Sequence, residues 1–180
     1  MKETIKLGVI LMIICLVSAA VLGVSNNITK DKIAEQEVAG SLESLKEIFG
    51  DGYSFKVLDE AKLTEIKDSY TFVTDVYEAY DGNTLAGYAI KHVTKGFGGD
   101  IVILTGFNID GTIAGIDVLQ HSETPGLGAR AEEPEFRDQF KGLSASEEIS
   151  VQGLSGATVT TNAVLSGINA VREVFNNMLK

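Results

Sequence analysis

The 180-residue chain has no tryptophan, one cysteine, two prolines and two histidines. Each scarcity removes a class of chemistry. Cys15, the single cysteine, lies inside an apolar run, so the rest of the chain has no disulfide, no thiolate nucleophile and no cysteine-ligated metal or iron–sulfur cluster. His92 and His121 lack the helical i, i+4 pairing of a zinc site. The first is expected on a strand face and the second in a loop, neither as a metal ligand. Basic residues are also scarce. From Asp31 onward 12 Lys and Arg stand against 24 Asp and Glu, an acidic surface that repels phosphate backbones, so no nucleic-acid partner is expected. No G-x-G-x-x-G follows a strand pattern, and no Walker-type glycine–lysine loop occurs. "GLSGA" around Ser155 is not the G-x-S-x-G elbow of a hydrolase. No pair of carboxylates stands out from the acidic background. Conventional catalysis has no home in this sequence.

What the sequence does have begins with a long uncharged stretch. Residues 7–24, "LGVILMIICLVSAAVLGV", contain no charge, and eighteen helical residues would span roughly 27 Å, close to a bilayer's hydrocarbon core. Lys2, Lys6 and the small residues "SAA" at 18–20 also fit a signal peptide, but the run exceeds the usual apolar core of a secretory signal. Ile14 before Cys15 does not fit a lipoprotein cleavage site. A retained anchor over 1–28 is therefore expected, with a domain over 29–180. Lys2 and Lys6 precede the run and no charge follows it until Lys30, which places the N-terminus in the cytoplasm and the domain on the outer face.

Residues 29–49 read as a helix, with Ile33, Val38, Leu42, Leu45 and Phe49 near helical spacing. "GDG" at 50–52 ends it. Beyond it, four β-branched and aromatic runs are separated by Asp81-Gly82, by "KGFGG" at 95–99 and by Asp110-Gly111. Glycine-containing turns between such runs mark hairpins. An antiparallel meander of about four strands flanked by helices is expected, an α+β domain behind an N-terminal transmembrane helix. "EEPEFRDQFKG" reads as a short helix. Residues 162–179 read as a terminal amphipathic one, with Val164, Leu165, Ile168, Val171, Val174, Phe175 and Leu179 on its apolar face.

Two segments are unusual. "VQGLSGATVTTNAV", residues 151–164, crowds glycines and hydroxyls ahead of the last helix. Small residues at a helix start form anion pockets, because free N–H groups and the helix dipole point there. A hydroxyl-rich helix cap, with Asn162 as the capping residue, explains the same residues without a ligand. "HSETPGLGARAEEPEF", residues 121–136, interrupts the chain with Pro125, Gly126 and Gly128. Its glycines suit either close approach to a flat ligand or a plain exposed turn.

Together these segments carry a resemblance. "SGAT" at 155–158, followed by "VTT" and a helix, resembles the flavinylation motif of the FMN-binding domain family. "HSETPGLGAR" at 121–130 is similar to that family's second signature loop, and residues 95–119 match the strand–turn–strand segment before it. With the N-terminal run included, the likeness is closest to the G subunits of Rnf-type ferredoxin:NAD+ oxidoreductases. The C subunits of sodium-pumping NADH:quinone reductases are the next cousins.

The resemblance implies FMN attached by a phosphodiester to Thr158 and installed from FAD by a separate flavin transferase. Ser155, Gly156 and Ala157 would leave room for the transferase and the phosphate, and Thr160, Thr161 and Asn162 could bind the phosphate or cap the helix. Glu123, Thr124, Gly126, Leu127 and Gly128 would lie against the isoalloxazine ring. It also implies membrane partners, the other subunits of an Rnf-type complex, and an electron-relay role with no complete reaction of its own. Gln152 departs from the pattern, since an acidic residue often stands three positions before the motif's serine. A stand-alone anchored flavoprotein and a cofactor-free scaffold are the other readings. Visible absorbance of the purified domain separates the scaffold from both flavoproteins.

Overall fold

The computed structural model describes residues 41–180 together with Lys6, Gly8, Leu11, Met12, Cys15, Leu16 and Ser18, all helical and exposed. The anchor expected over 1–28, and residues 29–40 of the helix expected after it, fall almost wholly outside the described residues. No helix among the described residues is long and apolar enough to cross a membrane. The chain divides into two compact units, Met1–Gly40 and Ser41–Lys180. The second carries the architecture that follows.

Its frame is a five-stranded antiparallel sheet in sequence order. The strands are β1 (Tyr53–Val57), β2 (Val73–Asp81), β3 (Thr84–Lys95), β4 (Asp100–Asn108) and β5 (Ile113–Gln120). The four expected runs are β2 to β5. The sheet has one strand more than expected, because β1 (YSFKV) is short and lies at the edge. It keeps only a weak alternation of half-buried and exposed residues. Helix α2 (Glu60–Ser69) was also not expected. It buries only Leu63 and Ile66, and Asp59 caps it by accepting from the Ala61 N–H at 3.0 Å. The hairpin turns lie where the glycines predict them, with Gly82 and Gly111 at positive φ.

The two faces of the sheet differ in size and therefore in what they accept. On one face, Tyr88 and Ile90 of β3 join Ile101, Ile103 and Phe107 of β4 in the main core. Helix α4 (Thr158–Val174), followed by a π-helical turn at Phe175–Leu179, packs across it. The Phe175 and Phe107 rings stack with centroids 4.8 Å apart. On the other face, Ala89, Leu104 and Ala114 form a shallow patch covered by Leu45 and Ile48 of a helix over 41–49 (α1). A Cβ at Gly106 would stand 2.4 Å from Ile48 Cγ2, so glycine there is what lets α1 come down onto the strands. Arg137, which ends α3 (Pro134–Arg137), pairs with Asp117 on β5 and with Glu47 on α1 at 2.9 Å. Ser44 of α1 donates to the other oxygen of Asp117.

The terminal helix starts earlier than the periodicity suggests. Its first residue is Thr158 and its N-cap is Ala157, so Asn162 lies in the second turn, exposed, and does not cap. The apolar spacing that marks this helix begins only at Ala163, which is why the pattern placed the start too late. The expected short helix is α3 followed by a 3-10 turn at Asp138–Phe140.

His92 sits on a strand face as expected, wholly buried beneath α4. Its Nδ1 lies 3.3 Å from the Ile103 carbonyl, and its Nε2 has no hydrogen-bond partner among the described residues. Burial lowers its pKa from 6.5 to about 3. The native state therefore binds fewer protons than the unfolded chain in that window, and the stability tied to His92 is present above pH 6.5 and lost as pH falls. Chemical denaturation at pH 6.5 and 5 should show a loss approaching about 1.4 kcal/mol per pH unit from this residue. His92→Leu should flatten the slope by that amount. An unchanged slope in the variant contradicts the assignment.

Candidate functional site

Three segments converge at one end of α4. The first is the β3–β4 hairpin tip, closed by the Gly96 N–H donating to the Gly99 carbonyl at 2.8 Å. The second is the loop after β5, which runs into a 3-10 turn at Gly128–Glu132. The third is the approach to α4.

The second and third segments use the same device. Leu127 N–H donates to the Thr124 carbonyl at 3.1 Å, with Pro125 and Gly126 between them and Gly126 at φ +73°. Ala157 N–H donates to the Leu154 carbonyl at 3.1 Å, with Ser155 and Gly156 between them and Gly156 at φ +79°. Both are turns of the type that requires positive φ at the third residue, which only glycine adopts at little cost. The two turns face each other, and a Cβ at Gly156 would stand 3.2 Å from Leu127 Cδ2.

Between them lies a cavity of about 330 Å³. Its wall brings together eight of the twelve residues singled out from the sequence: Glu123, Thr124, Leu127, Gly128, Gly156, Ala157, Thr158 and Thr160. The other four lie elsewhere, Asn162 being exposed in the second turn of α4. Gly126 shapes its turn without lining the cavity. Ser155 faces a neighbouring polar cavity of about 230 Å³ that it shares with Arg130, Gln139 and Gln152. Thr161 is buried, accepts from the Leu154 N–H at 3.0 Å and donates to the Ala157 carbonyl at 3.0 Å, so it braces the turn.

Gln152, the departure from the motif, is held through its main chain. Its N–H donates to Gln139 Oε1 at 2.9 Å and its carbonyl accepts from Gln139 Nε2 at 3.4 Å. The segment's geometry therefore does not depend on an acid at that position.

Glu123 ties the segments together. The residue is 6% exposed, with one carboxylate oxygen accepting from the Gly98 N–H at 2.7 Å and the other from the Thr160 hydroxyl. Thr160 and Thr161 are thus both engaged with protein partners. Thr158 is different. It is exposed on the cavity wall, its hydroxyl has no hydrogen bond among the described residues, and no side chain caps the helix it begins. The first-turn N–H groups of α4 and its dipole point towards that opening.

Two residues that sequence reasoning missed are Phe97, 73% exposed at the hairpin tip, and Val159, 54% exposed; with Leu127, 44% exposed, they give the cavity an apolar rim. An aromatic between glycines in a hairpin turn was the available signal, because nothing in the turn itself needs a phenylalanine.

The packing at the tip is testable. A Cβ on Gly98 would stand 2.1 Å from the Ser122 carbonyl oxygen, whereas one on Gly126 meets nothing within 4 Å. Gly126→Ala should cost about 1 kcal/mol for its backbone angle alone. Gly98→Ala should cost about 2–3 kcal/mol, since the tip must move and break its bond to Glu123. Urea denaturation of both variants checks the order, and equal costs contradict the geometry.

Comparison with known proteins follows the same outline. Residues 96–173 match the FMN-binding domain family model, and residues 1–48 match the RnfG N-terminal region. The chain is 32% identical to the G subunit of the Na(+)-translocating ferredoxin:NAD(+) oxidoreductase complex of Acetobacterium woodii, over 99% of this chain and 95% of that protein. It is 30% identical to the G subunit of the proton-translocating ferredoxin:NAD(+) oxidoreductase complex of Clostridium ljungdahlii, over 91% and 88%. The fold is similar to the crystal structure of Shewanella oneidensis NqrC, with a TM-score of 0.55 at 17% identity, covering 74% of this chain and 85% of that one. The chain therefore belongs to the family of G subunits of ion-translocating ferredoxin:NAD+ oxidoreductase complexes.

Proposed function

We propose that the protein is the flavin-bearing electron-relay subunit of an Rnf-type complex, with FMN esterified to Thr158. The observation that carries this reading is the unengaged Thr158 hydroxyl on the wall of an apolar-rimmed cavity, at the uncapped start of a 17-residue helix. A cavity of about 330 Å³ lies within the range of small-molecule sites. Its turns are pinned by protein hydrogen bonds, so it is formed before any ligand arrives.

The residues present fit the group. The phosphate would lie at the first-turn N–H groups of α4, where dipole and donors favour an anion. Thr124, Leu127 and Gly128 on one side and Gly156 and Ala157 on the other would hold the ring, with Phe97 and Val159 covering its edge. Glu123 would act from beneath, keeping the walls in place. FMN supplies reversible electron transfer, and the chain supplies position and surroundings.

Attachment requires Thr158 Oγ to form a bond to the FMN phosphorus of FAD while the pyrophosphate bond breaks. AMP leaves, and the hydroxyl proton goes to solvent or to a base of the transferase. No side chain of this cavity offers a free base for that step, since the Glu123 oxygens are both occupied. A separate flavin transferase fits this arrangement.

Residues 7–24 would hold the domain at the membrane, with the N-terminus in the cytoplasm and residues 29–180 on the outer face. A flavin held only by contacts would be lost to dilution there, whereas an ester keeps it at any concentration. Other membrane subunits of the complex would be its donor and acceptor.

Thr158→Val, co-expressed with a flavin transferase, should abolish in-gel flavin fluorescence while the circular dichroism and unfolding midpoint stay unchanged. Fluorescence retained at the wild-type level contradicts the assignment of Thr158.

A further inference from the structure

Glu123 is held from a third direction that neither the sequence pattern nor the family comparisons address. His121 Nδ1 accepts from the Glu123 main-chain N–H at 3.1 Å, and His121 Nε2 lies 3.0 Å from Glu132 Oε2. An Nδ1 that accepts from an N–H carries no proton. The neutral ring must therefore hold its proton on Nε2, and that N–H donates to the Glu132 carboxylate. The imidazole side chain is 16% exposed, so its orientation is set by these two partners more than by water.

The two contacts span the loop. Glu123 stands before the Thr124–Leu127 turn, and Glu132 ends the 3-10 turn that follows it. One imidazole thus joins the beginning of the loop to its end, and the loop between is the wall of the cavity that carries Thr124, Leu127 and Gly128. A side chain that accepts from the N–H two residues on copies the bond of an asparagine turn, but only a ring with a second nitrogen also reaches Glu132.

We infer that His121 is a positioning residue of this cavity: as the Nε2-protonated neutral imidazole it clamps the loop of residues 121–132 closed and thereby fixes Glu123. Through the Glu123 carboxylate the clamp extends to the Gly98 N–H at the hairpin tip and to Thr160 on α4. His121 does not itself line the cavity.

The inference builds on the proposed flavin site, but its first test does not need the flavin. Only two histidines occur in the chain, so full-length Thr158→Val protein labelled with [15N]histidine gives two imidazoles, and His121→Asn removes one. Long-range 1H–15N spectra at neutral pH should show His121 with its proton on Nε2. In the same flavin-free background, His121→Ala should speed exchange of the Glu123 amide about five-fold or more, the worth of one hydrogen bond. His121→Asn, whose Oδ1 can still accept from that N–H, should largely restore protection. An Nδ1-protonated ring, or equal exchange in the Asn and Ala variants, overturns the inference.

The second test uses flavin-loaded full chain with Thr158 intact. His121→Ala should diminish the visible circular dichroism of the attached flavin, and His121→Asn should recover part of it at unchanged flavin content. Identical spectra in all three proteins would mean that the clamp does not govern the cavity. Failure of the flavin to attach even in the wild type would instead count against Thr158, and the tautomer result would stand.

Discussion

A carboxylate removed from water needs donors on both oxygens, or its burial destabilises the fold. Glu123 meets that requirement by drawing two distant segments onto its own loop. One oxygen takes the Gly98 N–H of a hairpin tip, the other takes the Thr160 hydroxyl of α4, and its own N–H is held by His121. Gly98 and Thr160 lie 25 and 37 residues from Glu123 in the chain. The constraint explains why the loops at this end of the sheet are glycine-rich. A Cβ at Gly96 would stand 2.4 Å from Glu123 Oε1 and one at Gly128 2.4 Å from Oε2, so the carboxylate fits only between residues without side chains. The cavity is the space left when the three segments are pulled onto this group.

The rest of the domain gives that knot a rigid base. The sheet has a large-residue face, which takes α4 through Phe107, Phe175 and the Ile residues of β4, and a small-residue face, which takes α1 through Ala89, Gly106 and Ala114. Helix α4 does two jobs at once. Its body is core, and its first turn lines the cavity, so a group bound at Thr158 would be placed as accurately as the core is packed. Thr94 on β3 donates to the Ala163 carbonyl at 3.0 Å, which fixes the helix just below that turn. At the opposite face, Arg137 joins α1, β5 and α3 through Glu47 and Asp117.

Much of this was legible in the sequence because it is local. Strands β2 to β5 carry dense β-branched runs between glycine turns, and each turn has one glycine at positive φ, Gly82, Gly99 and Gly111. Both turns that face the cavity could be anticipated from Pro125-Gly126 and Ser155-Gly156. What was not legible depends on long-range partners. β1 and α2 have too few apolar residues to announce themselves and form because the sheet edge is there to receive them. The start of α4 was misplaced because three of the four residues of its first turn are threonines, which interrupts the apolar period. Thr160 and Thr161 look like ligand groups in sequence, yet they spend their hydroxyls on Glu123 and on the turn. Phe97 looked like part of a turn because no local pattern shows what stands opposite it.

The proposed flavin attachment rests on a single atom, Thr158 Oγ. The intact mass of the full chain, purified from cells that express a flavin transferase, tests this most directly. The account predicts a chain heavier than its amino-acid sequence by one FMN less one water, with the added mass mapped to the peptide containing Thr158. A chain that weighs only what its residues weigh, or one whose flavin maps to a different peptide, contradicts it.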